Sequence, residues 1–280
     1  MSVDAETARV VAVTEQYYDS DDADSFYAEI WGGEDIHIGL YEYPTQPVRE
    51  ASRATVRVLA DTLQSMGPDT RVLDLGSGYG GTARSLVQRF GCHVTCLNLS
   101  EAQNARNRRL TQAHGLEDRV HVVHGNFEEI PFENAVFDVV CSQDALLHSG
   151  RRGLVLEEVA RVLRPGGQFV FTDPMQSDDC PEGVLDPVLA RIHLVTLGSF
   201  RFYRQKLAEL GFVELSVRDL THHLGRHYAR VRQELQARYD EMVGKASKEY
   251  VDRMLTGLGH WVDAEAKGYL AWGILHFRAP

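Results

Sequence analysis

Val72-Leu73-Asp74-Leu75-Gly76-Ser77-Gly78-Tyr79-Gly80-Gly81 is the stretch on which the reading of this chain turns. Apolar residues at 72, 73 and 75 suit a strand buried on both faces of a parallel sheet. Gly76 and Gly78 permit a tight turn and a close backbone approach to a ligand. Thr82-Ala83-Arg84 then begins a helix whose first N–H groups are open to an anionic group. A small cofactor is expected over this loop.

Outward from the loop, residues 70–175 alternate strand and helix patterns. Strands are expected at Arg71–Leu75, His93–Leu97, Val120–His124, Val136–Ser142 and Gln168–Thr172. Helices are expected at 81–90, at 100–114 with Ser100 as N-cap, and at 153–163, where Arg164-Pro165-Gly166-Gly167 stops the last. Such alternation implies an α/β fold with a parallel sheet covered on both faces and ligands at the carboxyl ends of its strands. Residues 177–210 look helical, 212–217 reads as a sixth strand and 270–278 as the last. About fifty helix-rich residues before a final strand exceed a simple loop. The division expected is an arm or lid over 1–50, a core over 51–221 and 269–280, and a cap over 222–268.

Composition sets outer bounds. The chain has 280 residues, 44% of them hydrophobic, and a formal net charge of −11. A phosphate backbone needs a basic face, so nucleic acid is not an expected partner. No signal peptide or membrane span is visible, and a cytoplasmic location is expected. Cys92, Cys96, Cys141 and Cys180 form no C-x-x-C pair and read as reduced thiols. His223 and His227 are four apart, as zinc ligands can be, but nothing at usual spacing completes a site. A polar helix surface is the expectation there, and no metal is expected.

Gly76, Gly78 and Gly81 satisfy G-x-G-x-x-G, which makes a dinucleotide the first rival. A dinucleotide site wants an acidic residue at the end of the second strand, and Asn98 stands there. Asp74 at the first strand end, Gly125-Asn126-Phe127 after the third strand and the Arg-Pro-Gly-Gly turn before the fifth point elsewhere. Together they resemble the class I S-adenosylmethionine-dependent methyltransferases, over roughly residues 70–175. The flanks narrow the resemblance. Tyr17-Tyr18-Asp19, Trp31 through Tyr41, Cys96 through Ser100, Ser142 through Ser149, Thr172-Asp173-Pro174-Met175, Tyr203-Arg204 and Gly259-His260-Trp261 look like the sarcosine/dimethylglycine N-methyltransferases. That resemblance implies a Rossmann-like seven-stranded sheet with an arm and a cap, S-adenosylmethionine as cofactor, and betaine-forming methylation of sarcosine, dimethylglycine or both. A C- or O-methyltransferase of another small metabolite, or a cofactor-binding protein without turnover, are the alternatives. Oligomeric state stays open.

The resemblance implies cofactor contacts from Tyr18, Asp74, Gly76, Gly78, Asn98, Gln103, Asn126, Phe127 and Gln143. The chemistry is in-line displacement, so alignment and exclusion of water supply most of the acceleration. A quaternary ammonium product has no N–H, and aromatic faces are what can recognise it. Tyr18, Tyr27, Trp31, Tyr203 and Trp261 are the pool for that wall, with Tyr18 and Trp31 expected at the reacting centre. The amine must lose a proton, and Asp144, His148 and His193 are possible acceptors. The substrate carboxylate suits an arginine, and Arg191 and Arg204 lie where the cap should begin. Pro174 and Met175 are expected to furnish apolar surface beside the amine.

Overall fold

The computed structural model describes residues 19–31, 33–191 and 194–280. A short helix α1 (Asp21–Phe26), capped by the Ser20 side chain, runs into a wider turn at Tyr27–Trp31. An extended segment follows, then α2 (Val48–Thr62). The core comprises β1 (Arg71–Leu75), α3 (Gly81–Phe90), β2 (His93–Asn98), α4 (Glu101–Ala113), β3 (Val120–His124), β4 (Phe137–Gln143), α5 (Arg152–Val162) and β5 (Leu163–Gln176). After it come α6 (Asp186–Ala190), α7 (Phe200–Glu209), β6 (Val213–Asp219), α8 (Thr221–Ala237), α9 (Tyr239–Val243), α10 (Lys248–Ala266) and β7 (Leu270–Arg278).

The seven strands form one sheet in the order β3-β2-β1-β4-β5-β7-β6. β1 to β5 are parallel, and β7 runs antiparallel to both neighbours. The continuous apolar run of β1 has its cause here, because Val72, Leu73 and Leu75 are fully buried between helices on the two faces. Chain order reverses between β1 and β4, which opens a crevice at their carboxyl ends. Ser100 caps α4 as expected, its Oγ accepting from Gln103 N at 3.2 Å.

Two elements differ from the sequence expectation. β5 is longer at both ends. The Arg164-Pro165-Gly166-Gly167 turn is a bulge inside it, with Leu163 opposite Phe137 and Gln168 already opposite Val139. At the far end, antiparallel pairing with β7 carries the strand on to Gln176. Among the described residues between 177 and 210, only α6 and α7 are helical. The arm and the cap share one apolar cluster, in which Phe26, Tyr27, Ile30 and Trp31 pack with Tyr228, Tyr250, Leu258 and Trp261. No helix among the described residues is long and apolar enough to cross a membrane.

Candidate active site

The glycine loop is built as its sequence requires. Gly76, Gly78 and Gly80 have φ of +71°, +51° and +75°, where a side chain is strained. A Cβ on Gly76 would lie 2.3 Å from the Ala145 Cβ, and one on Gly78 would lie 3.1 Å from Ile36. Gly81 serves a different need. A Cβ there would sit 2.1 Å from Asp35 Oδ1 and 2.6 Å from the Glu34 carbonyl oxygen. The arm therefore packs against the first residue of α3. Arg84 of α3 fastens it further by donating to Glu34 Oε2 at 3.0 Å.

A cleft of about 820 Å³ opens over this loop. Gly76, Gly78, Asn98, Gln103, Asn126, Phe127 and Gln143 all line it. The Asn98 amide donates to Gln103 Oε1 at 3.0 Å, which sets two amides side by side at the end of β2. Gln143 Nε2 and His37 Nδ1 are buried with no partner among the described residues, so a bound group has a use for both. Phe127 adds an apolar face, and the polar atoms at the other end complete a donor set that fits S-adenosylmethionine. Asp74 departs from its expected role. It is buried and not among the residues that line the cleft, its Oδ1 accepts from the Cys141 thiol at 3.7 Å, and burial pushes its carboxyl up to about 7. Tyr18 and His193 lie outside the described residues. Asp19 accepts from the Ser100 hydroxyl and from Ala102 N, which ties the arm to the start of α4.

A second cavity of about 340 Å³ adjoins the first and shares Tyr27, Ile36, Asp144 and His148 with it. Trp31, Ile38, Leu147, Pro174, Arg191 and Tyr228 complete its walls. Asp144 sits at φ +53°, and its carboxylate accepts three hydrogen bonds. Oδ2 accepts from Ile38 N at 2.7 Å, and Oδ1 accepts from Thr172 Oγ1 and Trp272 Nε1, both at 2.8 Å. It thus joins the arm to β5 and β7 rather than standing ready to take a proton. Burial raises its carboxyl above the ordinary value, and His37 and these donors oppose the rise. Burial and the nearby Arg191 push the His148 imidazole down to about 4, so it is neutral near pH 7. The Arg191 guanidinium is buried over the rings of Tyr228 and Trp261, at 5.4 and 5.5 Å.

Three expected substrate contacts are corrected. Met175 follows Pro174 on β5, and alternate residues of a strand face opposite ways. Pro174 lines the small cavity while Met175 is buried in the core among Leu207, Phe171 and Ala271. Tyr203 is fully buried, its hydroxyl donating to Asp173 Oδ2 at 2.6 Å and its ring against Phe171. Arg204 is 56% exposed and pairs with Glu214 at 2.7 Å.

His227 is likewise no polar surface residue. It is fully buried, and its Nδ1 accepts from Gly39 N at 3.0 Å and lies 2.9 Å from the Tyr41 hydroxyl. His223, one turn earlier, accepts from Tyr41 N at 3.1 Å. The two histidines of α8 clamp the arm onto the cap. Burial holds His227 down to about 3, so it stays a neutral acceptor. His37, Tyr228 and this clamp were not singled out as site residues from sequence. The i, i+4 spacing of the histidines was the available signal.

Strand order 3-2-1-4-5-7-6 with an antiparallel seventh strand, and a cofactor-sized cleft at the switch point, define a class I S-adenosylmethionine-dependent methyltransferase. The methyltransferase domain family model matches residues 73–171. The chain is 53% identical to the sarcosine/dimethylglycine N-methyltransferase of Halorhodospira halochloris, covering 96% of this chain and 97% of that one. It is 54% identical to the enzyme of the same name from Aphanothece halophytica, covering 97% and 98%. The crystal structure of a protein assigned as a sarcosine dimethylglycine methyltransferase from Galdieria sulphuraria superposes with a TM-score of 0.88. Its sequence is 42% identical, over 94% of this chain and 98% of that one. The chain belongs to the sarcosine/dimethylglycine N-methyltransferase family.

Proposed function

We propose that this protein methylates the nitrogen of sarcosine and dimethylglycine, with glycine betaine as the final product. The observation that carries the substrate reading is Arg191, a buried guanidinium in the wall of an otherwise largely apolar cavity that opens onto the cofactor cleft. A small amino acid with a methylated nitrogen matches both features. Its carboxylate takes the guanidinium, and its methyl-bearing nitrogen lies among Tyr27, Trp31 and Tyr228. S-adenosylmethionine, when bound, supplies an electrophilic methyl group on a sulfonium.

The residues of the chain do the rest. Aromatic faces stabilise the positive charge that gathers on nitrogen as no hydrogen bond can. His148 borders both cavities in its neutral form, where its imidazole is placed to orient the amine by a hydrogen bond. Asp144 holds the arm closed through Ile38. We take residues 1–50 and 222–268 to act as one lid that excludes water, because the described part of the arm and the cap helices share an apolar cluster and the histidine clamp. Three of the four cysteines are buried free thiols, which supports a cytoplasmic placement.

Glycine is expected to be a poor substrate. A primary amine presents more N–H groups than this cavity can accept, since the carboxylate of Asp144 is already engaged three times. The test is purified protein with S-adenosylmethionine and each of glycine, sarcosine and dimethylglycine, with the methylated products separated. Formation of betaine from dimethylglycine is the expected result. Cofactor binding without turnover of any of the three would overturn the proposal.

A further inference from the structure

Arg191 follows the short helix α6, and α10 crosses it at Gly257. A Cβ on Gly257 would lie 2.6 Å from both Cγ and Cδ of Arg191 and 3.1 Å from its Cβ. The conflict is with the root of the side chain, so swinging the guanidinium aside does not relieve it. Met254 and Trp261 flank Gly257 on the same face of α10, at positions i−3 and i+4. Met254 Sδ is 4.0 Å from Arg191 Nη1, and the guanidinium lies 5.5 Å over the Trp261 ring. Tyr228 of α8 closes the other side, 4.6 Å from Trp261 between ring centroids. The Arg191 guanidinium lies 5.4 Å over the Tyr228 ring. The arginine stem thus lies in a trough whose floor is the missing side chain of Gly257.

We propose that Gly257 is a positioning residue for the substrate carboxylate: it makes the trough that aims Arg191 into the small cavity. This rests on the reading that Arg191 binds that carboxylate. Glycine inside a helix is less favourable than alanine. Alanine at 257 therefore favours α10 as a helix while closing the trough beneath Arg191. A role in substrate placement and a role in stability are separable for this reason.

The test is Gly257→Ala, compared with the parent on dimethylglycine and on its uncharged amide, with S-adenosylmethionine affinity measured by calorimetry. The expected result is a rise in KM for dimethylglycine of about tenfold or more, the order of weakening one charge-assisted contact. Turnover of the amide and cofactor affinity should each change less than about threefold, a margin well below that tenfold effect. An unchanged KM for dimethylglycine, or equal losses on acid and amide, would overturn the proposal. Arg191→Ala and the double variant complete a cycle. Gly257→Ala should have no further effect on dimethylglycine once Arg191 is gone, and independent losses would count against coupling. If Gly257→Ala alone does not fold, the double variant, which loses both 2.6 Å contacts and keeps only the 3.1 Å approach of the two Cβ atoms, must fold and bind cofactor; its failure also overturns the proposal. Unchanged kinetics in Arg191→Ala would instead remove the carboxylate reading itself.

Discussion

Trp272→Phe probes the carboxylate on which arm and sheet meet. The change keeps a buried aromatic ring on β7 and deletes one donor, the indole N–H at 2.8 Å from Asp144 Oδ1. The Trp272 backbone bonds to Thr221 and Leu220 are unaffected. A hydrogen bond to a charged buried group contributes about 1.5–3 kcal/mol, so losing this donor should raise the Asp144 carboxyl further. Its carboxyl already lies above the ordinary value of 3.8 in the folded protein, because burial outweighs the donors. A raised carboxyl pKa means that the folded state holds a proton more tightly than the unfolded one. Stability is then fullest below the unfolded value and falls as pH rises through the folded value. Two readouts should therefore move in opposite senses. The stability deficit of Trp272→Phe should shrink on acidification, because a protonated Asp144 misses the indole less. The acid limb of kcat/KM should shift to higher pH, because Ile38 and the arm lose their charged anchor sooner. Any loss from the smaller ring is independent of pH and does not confuse the comparison. Thermal unfolding and steady-state kinetics between pH 5 and 9 measure both. An acid limb that stays in place, or a deficit that grows on acidification, would refute the argument.

Trp31→Ala should cost about 3–5 kcal/mol, because its ring is buried against Tyr27, His227 and Tyr228; an unchanged melting temperature would contradict this. Gly78→Val should abolish cofactor binding in a calorimetric titration, since the added side chain is strained at φ +51° and drives against Ile36 over the cleft. Arg204→Ala should leave KM for dimethylglycine within twofold, its ion pair with Glu214 being largely exposed; a marked rise would return it to the substrate site.

Local conformation was legible in the sequence. Strand and helix periods follow from which faces are buried, so the alternation over 70–175 identified the sheet and left only strand ends uncertain. Gly76 and Gly78 were legible because the positive φ that they adopt is a property of single residues. Ser100 was legible because a cap is satisfied within three residues of chain. Asn98, Gln103, Asn126, Phe127 and Gln143 lie at or just beyond the carboxyl ends of successive strands, and the fold then brings those ends together.

Side-chain direction and long-range partners were not legible. Pro174 and Met175 are neighbours in sequence, and only the placement of β5 decides which faces the cavity and which the core. Arg191 and Arg204 looked alike, yet one is buried between the rings of Tyr228 and Trp261 and the other pairs with Glu214 in solvent. His227 meets Gly39 across 188 positions of chain. The sequence alone therefore determined the sheet and the glycine loop, because those rest on steric preferences within a few residues, and its resemblance to a known family implied the cofactor. The tertiary structure decided which groups surround the substrate, because that depends on how the cap helices pack against the arm, and no local period encodes such packing.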